Sequence, residues 1–334
     1  MTPISPSARL RPVVSACALA AAIVAAPWAF AQTAAKPGKE SAQIAAKTLT
    51  VQHAKGTATV PFAPKRVVVY DLASLDTMQA LNLPVTGLAK ANFPAYMKAY
   101  SDAKCTAAGT LFIPDYEALS QIQPDLIVVA GRSASKYEIL SKIAPTLDLS
   151  VNNAHLLDDM QRNVNTLASL WGKQAQGEQL MQRVRSEVES TRALAAQQEP
   201  GLLVLAVSRN MNGQAPGSRF GLLHDVLGVK PAVAADPSKP RGIPLKMEDI
   251  AKINPPWLYV IDRNAGTGTA TDREGKPVVP SQELFDNDMI RGTDAGKNRR
   301  VVFLDPQIWY LLGVAGPQAM LNNLAQLKEV WSRR

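Results

Sequence analysis

Two segments of the sequence share one pattern: Glu117-Ala-Leu-Ser-Gln-Ile-Gln-Pro-Asp-Leu-Ile-Val-Val-Ala-Gly-Arg132 and, 131 residues later, Glu248-Asp-Ile-Ala-Lys-Ile-Asn-Pro-Pro-Trp-Leu-Tyr-Val-Ile-Asp-Arg263. In each copy, a helical spacing of apolar residues ends at a proline, an apolar run follows, and an arginine comes last. The pattern predicts a short helix followed by a buried strand of a parallel sheet. It therefore predicts two similar α/β halves, each with an arginine at a strand's carboxyl end, where open sheets bind ligands.

The sequence before the first copy extends the same α/β pattern. Residues 48–52 and 56–62 alternate between apolar and polar side chains like a short hairpin, and residues 66–70 form a continuous apolar strand. Residues 71–81 have helical spacing, and residues 83–88 supply the next strand. Because strands alternate with helices, the fold class is α/β with parallel-type sheets.

The chain divides into five predicted segments. Residues 1–31 hold two arginines, an apolar run and Ala29-Phe30-Ala31, which predicts a secretory signal peptide cleaved after Ala31. The other four are a flexible leader, an N-terminal lobe, a connecting helix and a C-terminal lobe, at residues 32–46, 47–172, 173–199 and 200–334. We therefore expect an exported protein of two lobes joined by a long rigid helix.

Composition limits the classes of function. The chain has 36 Lys and Arg against 28 Asp and Glu, a formal net charge of +8, and its basic residues are spread along the chain. This distribution disfavours nucleic-acid binding. After removal of the signal peptide one cysteine remains, Cys105, so no internal disulfide can form, and we expect a buried small hydrophobe there.

Arginines are the main candidates for a binding site. Arg132 and Arg263 stand at matched strand ends, and Arg219 lies in the turn-rich segment 213–221 that follows another predicted strand. Guanidinium groups are permanently charged forks that suit planar anionic oxygens. The alternative is that all three are solvated surface arginines, but the matched positions of Arg132 and Arg263 favour a shared site.

Tyr310 follows a further buried strand, and two interpretations of it stay open. Its phenol could ligate a hard metal such as Fe(III) or hydrogen-bond a ligand, or it could cap the core beside Trp309. The three histidines are scattered and have no metal-ligand spacing, so we expect no resident zinc or copper and no intrinsic cofactor. The sequence has no common catalytic motif, which leaves an exported hydrolase with dispersed residues as a minor alternative.

These features together resemble the periplasmic substrate-binding proteins of iron-siderophore ABC importers, especially the subgroup that captures ferric catecholate siderophores. The segments that carry the resemblance are the two repeats and residues 66–76, 217–228, 262–264 and 304–310. The resemblance implies a class III-like fold of two lobes with a rigid connecting helix. It also implies a monomer without catalytic activity, whose Fe(III) arrives as a siderophore complex.

The resemblance assigns roles to particular residues. It implies that Arg132, Arg219 and Arg263 surround the anionic catecholates and that Tyr310 completes the coordination of iron. Arg241 stands near the family's partner histidine. Since arginine does not ligate Fe(III), this substitution indicates a siderophore that saturates iron itself or a more anionic complex that favours a fourth positive charge.

The family docks on its inner-membrane permease through one glutamate per lobe, and these fall on Glu117 and Glu248. The alternative is that both are ordinary carboxylates on helix surfaces. For the whole chain, the alternatives are the same fold with haem, cobalamin or a hydroxamate siderophore as ligand, the exported hydrolase, and a structural or adhesion module.

Overall fold

The computed structural model describes residues 47–102, 105–239, 241–272 and 274–332. The predicted signal peptide and leader, residues 1–31 and 32–46, lie outside the described residues. Among the residues that are described, no helix is both long and apolar enough to cross a membrane.

The first half of the described chain is a hairpin followed by a parallel sheet. Its strands are β1 (Thr48–His53), β2 (Gly56–Pro61), β3 (Val67–Val69), β4 (Gly87–Lys90), β5 (Thr106–Thr110), β6 (Leu126–Val129) and β7 (Thr146–Asp148). Its helices are α1 (Leu72–Ala80), α2 (Ala99–Asp102), α3 (Tyr116–Ile122), α4 (Tyr137–Leu140) and α5 (Leu156–Leu170). Strands β1 and β2 pair antiparallel, as predicted, and the other five form a parallel sheet in the order β5-β4-β3-β6-β7.

The second half follows the long helix α6 (Gln174–Ala195). Its strands are β8 (Gly201–Val207), β9 (Asn210–Gln214), β10 (Ile243–Leu245), β11 (Trp257–Asp262) and β12 (Val301–Phe303). Its helices are α7 (Met247–Ile253), α8 (Arg263–Thr267), α9 (Ser281–Phe285), α10 (Asp288–Arg291), α11 (Asp294–Lys297) and α12 (Pro317–Ser332). The sheet order is β10-β9-β8-β11-β12.

This second sheet is mixed, which corrects part of the sequence prediction. Strands β8, β11 and β12 are parallel, but β9 and β10 run antiparallel to their neighbours. The chain reverses at Ser208, whose φ of 54° is left-handed, and returns as β9. Residues 213 and 214, predicted to belong to a turn-rich segment, are therefore the end of a strand. The α/β class itself is confirmed.

The sequence repeat is also a structural repeat. Helices α3 and α7 end at Gln123 and Asn254, which have left-handed φ values of 50° and 48° and directly precede a proline. The proline disfavours helical geometry in the preceding residue, so each helix stops there. Strands β6 and β11 follow, and each pairs with parallel strands on both sides. Arg132 and Arg263 consequently lie at the carboxyl ends of equivalent strands.

Helix α6 is the predicted connector, with slightly tighter bounds than 173–199. Its 22 residues give a length of about 33 Å, and it buries Met181, Val184 and Val188. It packs on α5 from the first half and on α12 from the end of the chain. Because α12 also packs on α1, the last helix of the chain lies against the first half. The segment boundaries given in the sequence analysis stay a prediction.

Local sequence explains α1, which leads away from the central strand β3. The Asp71 carboxylate accepts a hydrogen bond from the Ser74 amide and so caps the helix. Leu72, Leu75 and Met78, which recur at helical spacing, are all buried. The predicted strand at 83–88 begins later, at Gly87, because Pro84 has no amide to donate to a sheet.

Candidate functional site

A short turn after β6 holds Arg132, and three hydroxyl contacts fix it. The Gly131 amide donates to Ser150 Oγ at 2.9 Å, and that hydroxyl donates in turn to the buried Asp148 carboxylate at 2.5 Å. The hydroxyl of Ser133 donates to the Tyr70 carbonyl at 3.0 Å. The backbone that carries Arg132 is therefore tied to the ends of both β3 and β7.

Arg132 reaches from the first sheet to the second. Its Nη1 donates to the Leu311 carbonyl and its Nη2 to the Tyr310 carbonyl, both at 2.9 Å. Arg219 Nη2 donates to the same Tyr310 carbonyl. Both carbonyls belong to a π-helical segment, Gln307–Leu312, that follows β12. Such segments are frequent at functional sites.

The third arginine approaches the tyrosine from β11. Arg263 opens α8, and its Nε donates to the Tyr310 phenol oxygen at 3.3 Å. The guanidinium carbons of Arg219, Arg132 and Arg263 lie 4.9, 5.5 and 6.0 Å from the centre of the Tyr310 ring. Three positive charges from separate segments therefore surround one phenol. We call these three residues the arginine cluster.

The arginine cluster alters the ionisation of its own members. Burial of the guanidinium head, followed by the charge of Arg132, lowers the pKa of Arg219 to about 10, although the residue as a whole is exposed. Burial acts to raise the pKa of Tyr310, but the hydrogen bond from Arg263 and the neighbouring positive charges outweigh it and lower that pKa. The lowered pKa of Tyr310 indicates that the positive charges around its phenol favour an anionic oxygen.

One carboxylate lies close to the cluster. Asp71 caps α1 through Ser74, and burial raises its pKa. The charge of Arg132 opposes that rise. Asp71 can balance one positive charge, so the arginine cluster retains an excess of positive charge for a ligand.

A second set of contacts joins the two halves beside the arginine cluster. Gln307 Nε2 donates to the carbonyls of Asn92 and Phe93 at 3.3 and 3.1 Å. The side-chain amide of Asn92 donates to the Gly266 carbonyl at 3.0 Å. Sequence reasoning missed these residues, and the only available signal was the position of Gln307, three residues before Tyr310.

The structure brings together four of the five predicted ligand-binding residues: Arg132, Arg219, Arg263 and Tyr310. Arg241 is the exception. The arginines that lie over the Tyr310 ring within the described ranges are Arg132, Arg219 and Arg263. The Arg241 carbonyl accepts a hydrogen bond from Gln214 Nε2 at 3.3 Å, and its side chain is exposed. Arg241 therefore lies near the end of β9, on the loop that precedes β10.

The two predicted docking glutamates occupy equivalent positions. Glu117 is in the first turn of α3 and Glu248 is in the first turn of α7, and both are exposed. Since these helices begin at the carboxyl edges of their sheets, each glutamate lies at the same edge as the arginine of its half.

Two cavities lie apart from the residues of the arginine cluster. A cavity of about 990 Å³ lies at the amino ends of β11 and β12, where Trp257, Arg300 and Trp331 line it. Another, of about 430 Å³, lies between the start of α5 and residues 217–226. An anion that enters the cluster can bind further N–H groups of Arg132 or replace the carbonyls of Tyr310 and Leu311 as its partners.

Cys105 and one of the three histidines, His224, have ordinary structural roles. Cys105 is half-buried, its thiol donates to the Val85 carbonyl at 3.4 Å, and burial raises its pKa. A raised pKa disfavours the reactive thiolate. His224 is buried, and its Nδ1 hydrogen-bonds the Val229 carbonyl at 2.8 Å, as expected for a packed histidine.

The fold and the site define a class of binding protein, and comparison with known proteins names it. Residues 67–308 match the family described as periplasmic binding protein, and the chain belongs to this family. Its members are substrate-binding proteins, so this chain is not an enzyme.

Individual relatives are similar over most of their length. The petrobactin-binding protein YclQ of Bacillus subtilis is 32% identical over 286 residues, which is 84% of this chain and 87% of that protein. The ferric-anguibactin-binding protein FatB of Vibrio anguillarum is 31% identical, over 79% of this chain and 81% of FatB. The crystal structure of the catecholate-siderophore-binding protein VctP of Vibrio cholerae superposes with a TM-score of 0.76 at 27% identity, over 85% of this chain and all of VctP.

Proposed function

We propose that this protein captures a ferric siderophore with catecholate groups between its two halves and delivers it to an ABC importer. The observation that carries the proposal is the convergence of Arg132, Arg219 and Arg263 on the Tyr310 phenol. The names of relatives that bind petrobactin, ferric anguibactin and catecholate siderophores support the same class of ligand.

Charge complementarity accounts for the recognition. An Fe(III) ion bound by two doubly charged catecholates keeps one negative charge, and with three it keeps three. Burying such charge is costly unless it is paired and hydrogen-bonded. The arginine cluster provides that pairing, and each guanidinium can present two N–H groups to one catecholate. A neutral hydroxamate complex would leave the three cations without counter-charge.

Tyr310 gives the site a further capacity. Its lowered pKa makes the phenolate easier to form. A phenolate is an anionic oxygen ligand that iron accepts in proteins. When the siderophore leaves a coordination position of Fe(III) open, Tyr310 can fill it; when the siderophore saturates the metal, Tyr310 hydrogen-bonds a catecholate oxygen instead. Arg241, exposed near the end of β9, adds a fourth positive charge at the rim.

Delivery requires an exported protein with a surface for the transporter. The predicted signal peptide of residues 1–31 supports export to the periplasm. The exposed carboxylates of Glu117 and Glu248, one on each half, support docking on an inner-membrane permease. Closure of the two halves around a ligand would change the distance between these two carboxylates. Docking on the permease would then depend on whether a ligand is bound.

A ligand titration tests the proposal. The purified protein is titrated with Fe(III) complexes of bis- and tris-catecholate siderophores, a hydroxamate siderophore, haem and cobalamin. Quenching of tryptophan fluorescence is followed, since Trp309 adjoins Tyr310 in the chain. Saturable quenching by a catecholate complex, lost in the Arg132→Ala/Arg219→Ala/Arg263→Ala variant, is the expected result. Binding of haem, cobalamin or the hydroxamate complex alone would reject the catecholate assignment.

A further inference from the structure

Asp71 lies just past the carboxyl end of β3, beside the turn that carries Arg132. Strands β3 and β6 are neighbours in the parallel sheet, so one strand spacing of about 4.8 Å separates them. The Ser133 hydroxyl donates to the Tyr70 carbonyl at 3.0 Å. This hydrogen bond joins the residue after Arg132 to the residue before Asp71. The Asp71 carboxylate is therefore at the same sheet edge as the arginine cluster.

The start of α1 fixes the Asp71 carboxylate in place. Its Oδ2 accepts hydrogen bonds from the Ser74 amide at 2.7 Å and from the Ser74 hydroxyl at 2.8 Å. Burial raises the pKa of Asp71, whereas these two bonds and the charge of Arg132 act in the opposite direction. Burial lowers the pKa of Arg219, and the charge of Asp71 is among the effects that oppose it. Asp71 thus interacts electrostatically with two members of the arginine cluster.

A second acid, Asp148, belongs to the other strand beside β6 but has different surroundings. Asp148 is the last residue of β7 and pairs level with the last residue of β6. Its Oδ1 accepts hydrogen bonds from the Ser150 amide at 3.0 Å and the Ser150 hydroxyl at 2.5 Å. The charges of Asp148 and Arg162 both act on His53. Asp148 therefore lies within the sheet, whereas Asp71 lies past the end of its strand.

The charge of Asp71 acts unequally on ligands of different charge. An Fe(III) complex of two catecholates carries one negative charge, and a complex of three catecholates carries three. Because the Coulomb energy is proportional to the ligand charge, one carboxylate repels the trianion three times as strongly as the monoanion. For a separation of about 12 Å and an effective dielectric constant of about 40 to 20, affinity changes roughly threefold to tenfold per unit of ligand charge. Asp71 therefore opposes the more highly charged complex most.

We propose that Asp71 is a specificity-determining residue of the ligand site, whose carboxylate disfavours a trianionic tris-catecholate complex of Fe(III) relative to a monoanionic bis-catecholate complex. A binding site selects between ligands by repelling one as well as by attracting the other. The proposal rests on the proposed function, because it needs a ferric catecholate between the two halves. Two catecholates leave coordination positions of Fe(III) open, which agrees with the phenol of Tyr310 at the centre of the arginine cluster.

A pair of matched variants tests the proposal. Asp71→Asn removes the charge, and asparagine is as good a helix cap as aspartate. The control is Asp115→Asn, because Asp115 caps α3 in the same way, accepting a hydrogen bond from the Ala118 amide at 3.0 Å. Asp115 follows β5, which is three strand spacings, or about 14 Å, from β6. The two variants therefore make the same change in charge and cap at different distances from the arginine cluster.

Each protein is titrated, at one ionic strength, with the Fe(III) complexes of a bis-catecholate and a tris-catecholate siderophore. In Asp71→Asn we expect the ratio of tris-catecholate to bis-catecholate affinity to rise about 10- to 100-fold, because the complexes differ by two charges. In Asp115→Asn the ratio should stay within about twofold of wild type, since salt screens charges beyond about 10 Å. The ratio cancels any effect on the empty protein that both complexes share, so a purely structural role of Asp71 would leave it unchanged.

The remaining outcomes also decide the proposal. An unchanged ratio in Asp71→Asn overturns it and leaves the proposed function intact, and an equal rise in Asp115→Asn overturns it because net charge would then be the cause. If urea unfolding shows that asparagine is not tolerated, Asp71→Ser removes the charge and keeps a capping residue. If wild type binds neither complex, the proposed function fails, and inorganic sulfate then serves as the anionic probe. A larger sulfate-induced rise in Tm for Asp71→Asn than for Asp115→Asn supports repulsion by Asp71, and an equal rise rejects it.

Discussion

Arg132 and Tyr310 are joined across the two sheets, since the guanidinium of the first donates to the main-chain carbonyl of the second at 2.9 Å. The same guanidinium lies 5.5 Å from the centre of the Tyr310 ring. One side chain thus contacts both the backbone that carries the phenol and the phenol itself. Arg132 has further N–H groups with which it can bind an anionic oxygen of a ligand.

Arg132→Ala is therefore expected to weaken binding of a ferric catecholate by about 10- to 100-fold, because a charge-assisted hydrogen bond contributes roughly 1.5–3 kcal/mol. Arg132→Lys should fall between Ala and wild type, since lysine keeps the charge but lacks the fork. Fluorescence titration measures both. Arg291→Ala is the control, because Arg291 is exposed and pairs with Asp286 and Asp288. Equal affinities of Ala and wild type would contradict the role of Arg132.

Tyr310 should ionise at lower pH than a free tyrosine. The hydrogen bond from Arg263 and the charges around the ring lower its pKa against the opposing effect of burial. Absorbance titration of the ligand-free protein should therefore show a tyrosinate transition that is absent in Tyr310→Phe. In Arg263→Ala the transition should move to higher pH. A transition that survives in Tyr310→Phe would belong to another tyrosine and contradict this assignment.

The sequence predicted the parts of the site that depend on local pattern. The proline after each helix and the apolar run after each proline placed Arg132 and Arg263 correctly, because these features act over a few residues. The contact between Arg132 and the Tyr310 carbonyl joins residues 178 positions apart, and it depends on how α12 and α6 pack the halves together. No local pattern encodes such packing.

The antiparallel strand β9 shows a second limit of sequence reasoning. Its residues, Asn210–Gln214, include glycine and two asparagines, which are uncommon in strands. Pairing with β8 on one side and β10 on the other outweighs that preference. The pairing of β10 with β9 also explains why the side chain of Arg241 is exposed. The position of β10 determines the path of the loop that carries Arg241.

Gly266 is expected to be essential for the position of the π-helical segment. A Cβ at Gly266 would lie 2.5 Å from the Pro306 carbonyl oxygen and 3.3 Å from Tyr310 Cβ. Gly266→Ala should displace Gln307–Leu312, lower the free energy of unfolding by about 1–3 kcal/mol, and weaken ligand binding. Urea unfolding and titration measure these effects, with Ala265→Ser at the exposed neighbouring residue as control. Unchanged stability and affinity would mean that the segment adjusts without cost.

Asp76 should make stability depend on pH. This carboxylate of α1 accepts hydrogen bonds from the Tyr96 hydroxyl at 2.5 Å and from the Gln318 amide, in the first turn of α12, at 2.8 Å. Burial raises its pKa to about 6 from 3.8, although those hydrogen bonds oppose the shift, and the negative charge of Asp71 adds to it. Asp76 is thus a buried acid that holds its proton more tightly in the folded protein than in the unfolded chain.

The direction of the effect follows from proton linkage. Between about pH 4 and pH 6 the folded protein binds the proton and the unfolded chain does not, so this contribution to the free energy of unfolding falls as pH rises. A shift of roughly two pKa units corresponds to about 3 kcal/mol. Asp76→Asn cannot ionise, so its stability relative to wild type should increase from about pH 4 to pH 6 and stay constant above. Urea unfolding at several pH values measures the difference, and a constant difference across this range would show that Asp76 titrates alike in both states.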